Sequence, residues 1–177
     1  MKYATVLITG LICIAAAAMQ PASSSPELPP QIISDAMDEA DCLLSMAEMQ
    51  EVSEPARTLD ENHMILEVPC WRAAYQTGSI FLVYEAGAPE SARLLHFAVS
   101  EGDGFARTAS LTFPDYDPEG ARITSLHRAR GPGDCGSAGS WLWSGDAFVL
   151  DAYWRKDDCD GRLFDPLGEP ETWRVYP

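Results

Sequence analysis

Positive charge is scarce in this chain: 12 Lys and Arg residues stand against 27 Asp and Glu, for a formal net charge of −15 at pH 7. So acidic a protein repels nucleic acid and anionic membrane surfaces, and the electrostatically favoured partner is a cationic protein or peptide. Histidine is scarcer still. His63, His96 and His127 each stand alone in a strand candidate, and none shares metal-ligand spacing with another, so no metal and no cofactor are expected. Close Cys-x-x-Cys pairs are missing, which argues against a zinc site built from four cysteines. Long internal repeats are missing as well. An apolar run marks only the N-terminus, and no membrane association is expected once it has been removed.

That N-terminal run extends from Ala4 to Ala18 behind Lys2 and ends in the small residues Ala16, Ala17 and Ala18. This is the three-part pattern of a secretory signal, with cleavage expected after about Ala18 or a few residues later near Ala22. A spanning helix needs about 20 apolar residues, more than this run supplies. Cys13 follows Ile12 inside the run and leaves with it. The expected organisation is a signal over 1–18, a Pro- and Ser-rich leader over 19–30, and one globular domain over 31–177, periplasmic or secreted.

Cys42, Cys70, Cys135 and Cys159 remain, an even number, which in an exported chain implies two disulfides. Four cysteines allow three pairings. Sequence order favours Cys42 with Cys70 and Cys135 with Cys159, and a hairpin supports the second pair. Trp141–Trp143 leads into the turn Ser144-Gly145-Asp146, and 147–154 returns with Phe148, Leu150, Ala152 and Trp154 alternating. Folding that hairpin brings Cys135 and Cys159 together across its open end.

Ahead of it, apolar residues recur at helical steps from Ile32 to Ala47, predicting one amphipathic helix that starts at Pro29-Pro30 or Ser34 and runs to about Gln50. Strand candidates follow at 63–74, 79–85, 94–99, 105–113, 121–129 and 172–176, separated by turn signals. The expected fold is α+β, an N-terminal helix packed on an antiparallel meander of about eight strands and stapled by two disulfides. A small closed β-barrel is the alternative.

Four features fall in one order: the cysteine-bearing helix; Pro69-Cys70-Trp71-Arg72-Ala73-Ala74-Tyr75-Gln76; Arg130-Gly131-Pro132-Gly133-Asp134-Cys135-Gly136 running into Trp141-Leu142-Trp143; and Phe148-x-Leu150 with Cys159-Asp160-Gly161 and Trp173. In this the chain resembles a family of exported proteobacterial proteins catalogued as domain of unknown function 1176. Where that family often has Gly-Ala-Tyr-Asn, Ala73-Ala74-Tyr75-Gln76 stands here. The resemblance implies a periplasmic or secreted protein and supplies no reaction, ligand or partner.

Gly133-Asp134-Cys135-Gly136 is similar to the nucleophile loop of chymotrypsin-like cysteine proteases, with His63 and His96 upstream as such a site requires. Against that stand the short chain and the expected oxidation of the thiol. Asp115-x-Asp117-x-Glu119-Gly120 copies the first half of a calcium loop but has Leu126 where a bidentate Glu belongs, and Asp157-Asp158-x-Asp160-Gly161 is a second acidic turn. Arg122, Arg128 and Arg130 are candidates for binding an anion, or for pairing with Asp134 and its neighbours. Trp141 and Trp143 share a strand face and, with Tyr75, make a candidate platform for a sugar or peptide. The expected function is non-catalytic binding. Inhibition of a cationic secreted hydrolase such as lysozyme is the alternative, and a cysteine hydrolase using Cys135 is the third.

Overall fold

A computed structural model describes residues 27–176. The signal expected over 1–18 and its cleavage near Ala18 or Ala22 lie outside the described residues.

The predicted single helix is two. α1 (Pro30–Glu39) has Pro at its first position, where the missing N–H costs nothing, and buries Ala36 and Met37. It ends because Asp41 takes a left-handed φ of 52°, a conformation that Asp tolerates better than most residues. The Cys42 N–H still returns to the Met37 carbonyl of the helix at 2.9 Å, and Leu43 and Leu44 then both donate to the Cys70 carbonyl, at 2.8 and 3.0 Å. Ser45 then opens α2 (Met46–Val52) through a capping box. Its hydroxyl accepts the Glu48 N–H, and the Glu48 carboxylate accepts the Ser45 N–H at 2.9 Å. A disulfide between Cys42 and Cys70 holds the break against the strand below.

Strands β1 (Arg57–Thr58), β2 (His63–Arg72), β3 (Thr77–Glu85) and β4 (Ala88–Leu94) follow in antiparallel order. β5 (Phe97–Glu101) and β6 (Gly104–Thr108) make a hairpin of their own, so the expected strand 94–99 is divided between β4 and β5. β7 (Leu111–Thr112) returns to pair with the start of β3. A second five-stranded antiparallel sheet is built from β8 (Asp115–Asp117), β9 (Arg122–Arg128), β10 (Gly136–Trp143), β11 (Phe148–Lys156) and β12 (Arg174–Tyr176), in the order β12-β11-β10-β9-β8. Among the described residues twelve strands therefore stand where about eight were expected, and neither large sheet closes into a barrel.

β3 lies at the centre. Its run Ser79-Ile80-Phe81-Leu82-Val83-Tyr84 is buried throughout, because both faces of its sheet are covered. Ile80, Leu82 and Tyr84 join Met37 and Met49 of the helices in one core, while Phe81 and Val83 join Ile123, Trp141 and Tyr153 of the second sheet in the other. The order is helices, first sheet, second sheet. Phe97 of β5 bridges the sheets, edge-on to both Phe81 (5.9 Å) and Trp141 (5.4 Å).

The predicted β10–β11 hairpin forms, closed by Ser144, whose N–H and hydroxyl both donate to the Ala147 carbonyl. Its regular alternation does not hold. Ser140 pairs with Ala152 and Trp141 with Leu150, so Asp151 is an extra residue in a bulge. Phe148 and Leu150 face the core. Beyond the bulge the core side chain is Tyr153, and Trp154 is turned to the outer face of the second sheet, where it lines a cleft.

Candidate functional site

Three places gather polar or ligand-accessible groups, and the first is the open end of the hairpin. Cys135 and Cys159 are joined there in a disulfide. Cys135 is 1% exposed. Around the bridge, the Asp134 carboxylate accepts from Arg130 Nε at 2.7 Å, from a second Arg130 nitrogen, and from the Gly161 N–H at 2.7 Å. The Arg130 hydrogen bond, followed by that backbone N–H, outweighs burial and holds the carboxyl far below the ordinary carboxylate range. The buried Lys156 ammonium donates to the carbonyls of Asp134 (2.6 Å) and Arg162 (2.7 Å) and to the Asp160 carboxylate. Gly136 is required here, since its φ is +151° and a Cβ would lie 2.0 Å from the His127 carbonyl oxygen.

This end of the hairpin is a structural knot. The candidate nucleophile is spent in a disulfide, and Asp134 and Arg130 are spent on each other. Asp134, Cys135 and Cys159 are the one group of metal-ligand type within 4.8 Å among the described residues, but the two sulfurs are bonded to one another and offer no thiolate. Asp117, in the calcium-like turn, gives its two oxygens to the N–H groups of Glu119 and Gly120. Asp160 of the second acidic turn serves Lys156 and the Arg162 N–H.

The second place is Asp60. Its carboxylate accepts the backbone N–H groups of Asn62 and His63 and the Trp143 indole N–H (2.7 Å), and pairs with His63 Nδ1 at 2.9 Å. Burial pushes this carboxyl up, but the donors prevail and bring it down to about 2. A depressed carboxyl stabilises the fold above its unfolded value of 3.8, and that contribution disappears as pH falls through about 2. With the side chain 31% exposed, solvent screening reduces the effect to on the order of 1 kcal/mol. The stability advantage of the native protein over Asp60→Asn should therefore shrink between pH 4 and pH 2. Parallel urea melts check it, and an advantage independent of pH would show that Asp60 titrates normally in the fold.

The tryptophans of the sequence's candidate set are engaged separately. Trp141 is fully buried and donates its indole N–H to the Ala98 carbonyl (3.0 Å), Trp143 is half-buried against Asp60 and His63, and Trp71 donates to Ser110 Oγ. Tyr75 is exposed in the loop between β2 and β3.

The third place was not visible from periodicity. On the outer face of the second sheet an open cleft of about 600 Å³ runs over Ala138 and Ser140 of β10, with Leu126 of β9 on one side and Trp154 of β11 on the other. The segment 163–167 forms its far wall. Phe164 is buried there, while Leu163 and Leu167 are 63% and 87% exposed. Two of the sequence's candidate arginines line this cleft. Arg122 is neutralised by Asp151 at 2.6 Å and also bonds Ser140 Oγ. Arg128 has no carboxylate partner among the described residues, and its guanidinium lies 5.9 Å from the Phe113 ring centre.

No helix among the described residues is long and apolar enough to cross a membrane, and the two disulfides suggest an oxidising extracellular or periplasmic compartment. A family model described as Protein of unknown function (DUF1176) matches residues 10–176. No curated protein and no solved structure matches the chain.

Proposed function

Since the chain belongs to this DUF1176 family, whose description names no reaction or ligand, we propose from geometry that it is an exported binding protein whose ligand occupies the cleft on the outer face of the second sheet. The observation that carries this reading is the contrast between the hairpin's open end and the outer face of that sheet. At the open end the candidate reactive groups are consumed internally, the thiols in a disulfide and Asp134 by Arg130 and Gly161. On the outer face a cleft of about 600 Å³ stays open, within the roughly 300–1,000 Å³ of small-molecule sites. It has apolar walls and a few polar groups, as a binding site requires, and it rests on a regular sheet that can hold those groups in place.

The test is a titration of ¹⁵N-labelled exported protein with the small-molecule fraction of a periplasmic extract, followed by amide chemical shifts. Shifts concentrated in 122–128, 138–140 and 163–167 are expected. Shifts confined to the helices or to the Asp60 region would place the site elsewhere and refute the assignment, and an extract component that was consumed during the titration would point to turnover.

A further inference from the structure

Resting on that reading, we infer that the ligand class is a single-chain amphiphile with one carboxylate head, its apolar chain lying along the Ala138–Ser140 trough and its head on Arg128. Charge complementarity supplies the head. The described residues contain 11 of the 12 basic side chains, Lys2 being the other, and eight of these have a carboxylate within ion-pair distance. The three without one are Arg72, Arg107 and Arg128, and of these Arg128 alone lines the cleft.

In a chain carrying −15, an arginine left unmatched beside an apolar cleft is a local exception to the prevailing field. It is also held in place. The buried Gln76 side chain accepts the Arg128 backbone N–H at 3.2 Å, which fixes the main chain from which the guanidinium extends, and Gly133, at φ +73°, lies so close that a Cβ there would be 3.4 Å from the arginine stem. Asp165, in the 163–167 segment, accepts the Gly168 N–H at 2.8 Å. A guanidinium matches a carboxylate with two parallel hydrogen bonds, and one guanidinium balances one negative charge where a dianionic phosphate would leave a second uncompensated.

The trough supplies the chain. Ala138 and Ser140 point out of the same face two residues apart, about 6.8 Å along β10; the small Ala138 side chain leaves a channel flanked by Leu126 and Trp154, and Arg122, bonded to Ser140 Oγ, closes its other end. Leu163 and Leu167 are exposed at its mouth, apolar surface that an acyl chain would cover.

Calorimetric titration with decanoate, decyl phosphate, decanol and decyltrimethylammonium at physiological ionic strength tests this. Decanoate should bind one to one and more tightly than the other three. Arg128→Met should weaken decanoate by about tenfold or more, the loss of one charged hydrogen-bonded pair, and leave decanol within about twofold. Ala138→Leu should weaken both. Because Ala138 is buried, Leu167→Asp at an exposed rim position provides the same readout without risk to the fold. Equal affinity for decanol and decanoate, or an Arg128→Met variant that binds decanoate normally, overturns the head-group assignment. Decyl phosphate binding at least as tightly overturns the carboxylate. If no ten-carbon probe binds while extract still shifts the cleft amides, the ligand class falls and the binding site stands, whereas silence in both experiments removes both.

Discussion

Replacing Trp141 by Ala is expected to destabilise the protein by about 3–5 kcal/mol, the range for deleting a buried aromatic side chain. The size follows from what surrounds it. Trp141 is 0% exposed and stands between Phe97, with ring centres 5.4 Å apart, and Tyr153 at 6.4 Å. Its indole N–H serves the Ala98 carbonyl, which would lose its donor. Gly139 adds a constraint, because a Cβ there would come within 2.2 Å of the indole ring, so the backbone of β10 is already drawn up against the side chain. Removal opens a cavity at the junction of β5 with both sheets, into which hydrogen-bonded strands collapse only in part. Against a total of about 5–15 kcal/mol for a domain, a loss of this size takes about a fifth of the stability or more. Urea unfolding of Trp141→Ala beside the native protein measures it, and a difference under about 1 kcal/mol would show that this ring does not couple the sheets.

Cutting the Cys135–Cys159 bridge is the next largest effect. The bond closes a separation of 24 residues, for which chain entropy suggests about 3 kcal/mol. Replacing both cysteines by Ser should lower stability by much the same amount as Cys135→Ser alone, because either change removes one bond. The knot around it should loosen as well, since Arg130 binds the Cys159 carbonyl at 2.8 Å and Lys156 ties the strand end to Asp134 and Arg162. The oxidised native protein should resist iodoacetamide. An unchanged midpoint in Cys135→Ser together with rapid native alkylation of Cys135 would overturn the structural role and restore the nucleophile.

Much of the fold was legible where one physical signal dominated. Both cysteine pairs, the β10–β11 hairpin and the strands 122–128 and 174–176 follow from spacing, turn residues and alternation. Other features required information that local pattern does not hold. Ile32 to Ala47 keeps helical spacing straight through the break at Asp41, and the decisive signal, Ser45 three residues before Glu48, was present but outweighed by that periodicity. The bulge at Asp151 interrupts an alternation that is intact in the sequence, so Trp154 does not share the core face of Phe148 and Leu150.

For the site, the pairing of Arg130 with Asp134 was among the expectations and the solitary position of Arg128 was not. That depends on where every acidic residue lies in space, which spacing along the chain does not give. The far wall of the cleft, 163–167, has neither a strand nor a helix pattern, and its contribution comes only from docking Phe164 against the sheet, where its N–H reaches the Gly133 carbonyl at 3.0 Å.

The order of the two disulfides bears on how the protein reaches its oxidised state. Cys42 pairs with the next cysteine, Cys70, and Cys135 with the next after that, Cys159, so neither loop encloses or crosses the other. Among these four cysteines, a chain oxidised from its N-terminal end meets each native partner before a competing one of the four is available. An oxidant that joins the four in order of appearance therefore makes only native bonds. The slow thiol exchange that repairs crossed pairings has nothing to correct, and the first sheet with its two helices can be locked before the second sheet exists.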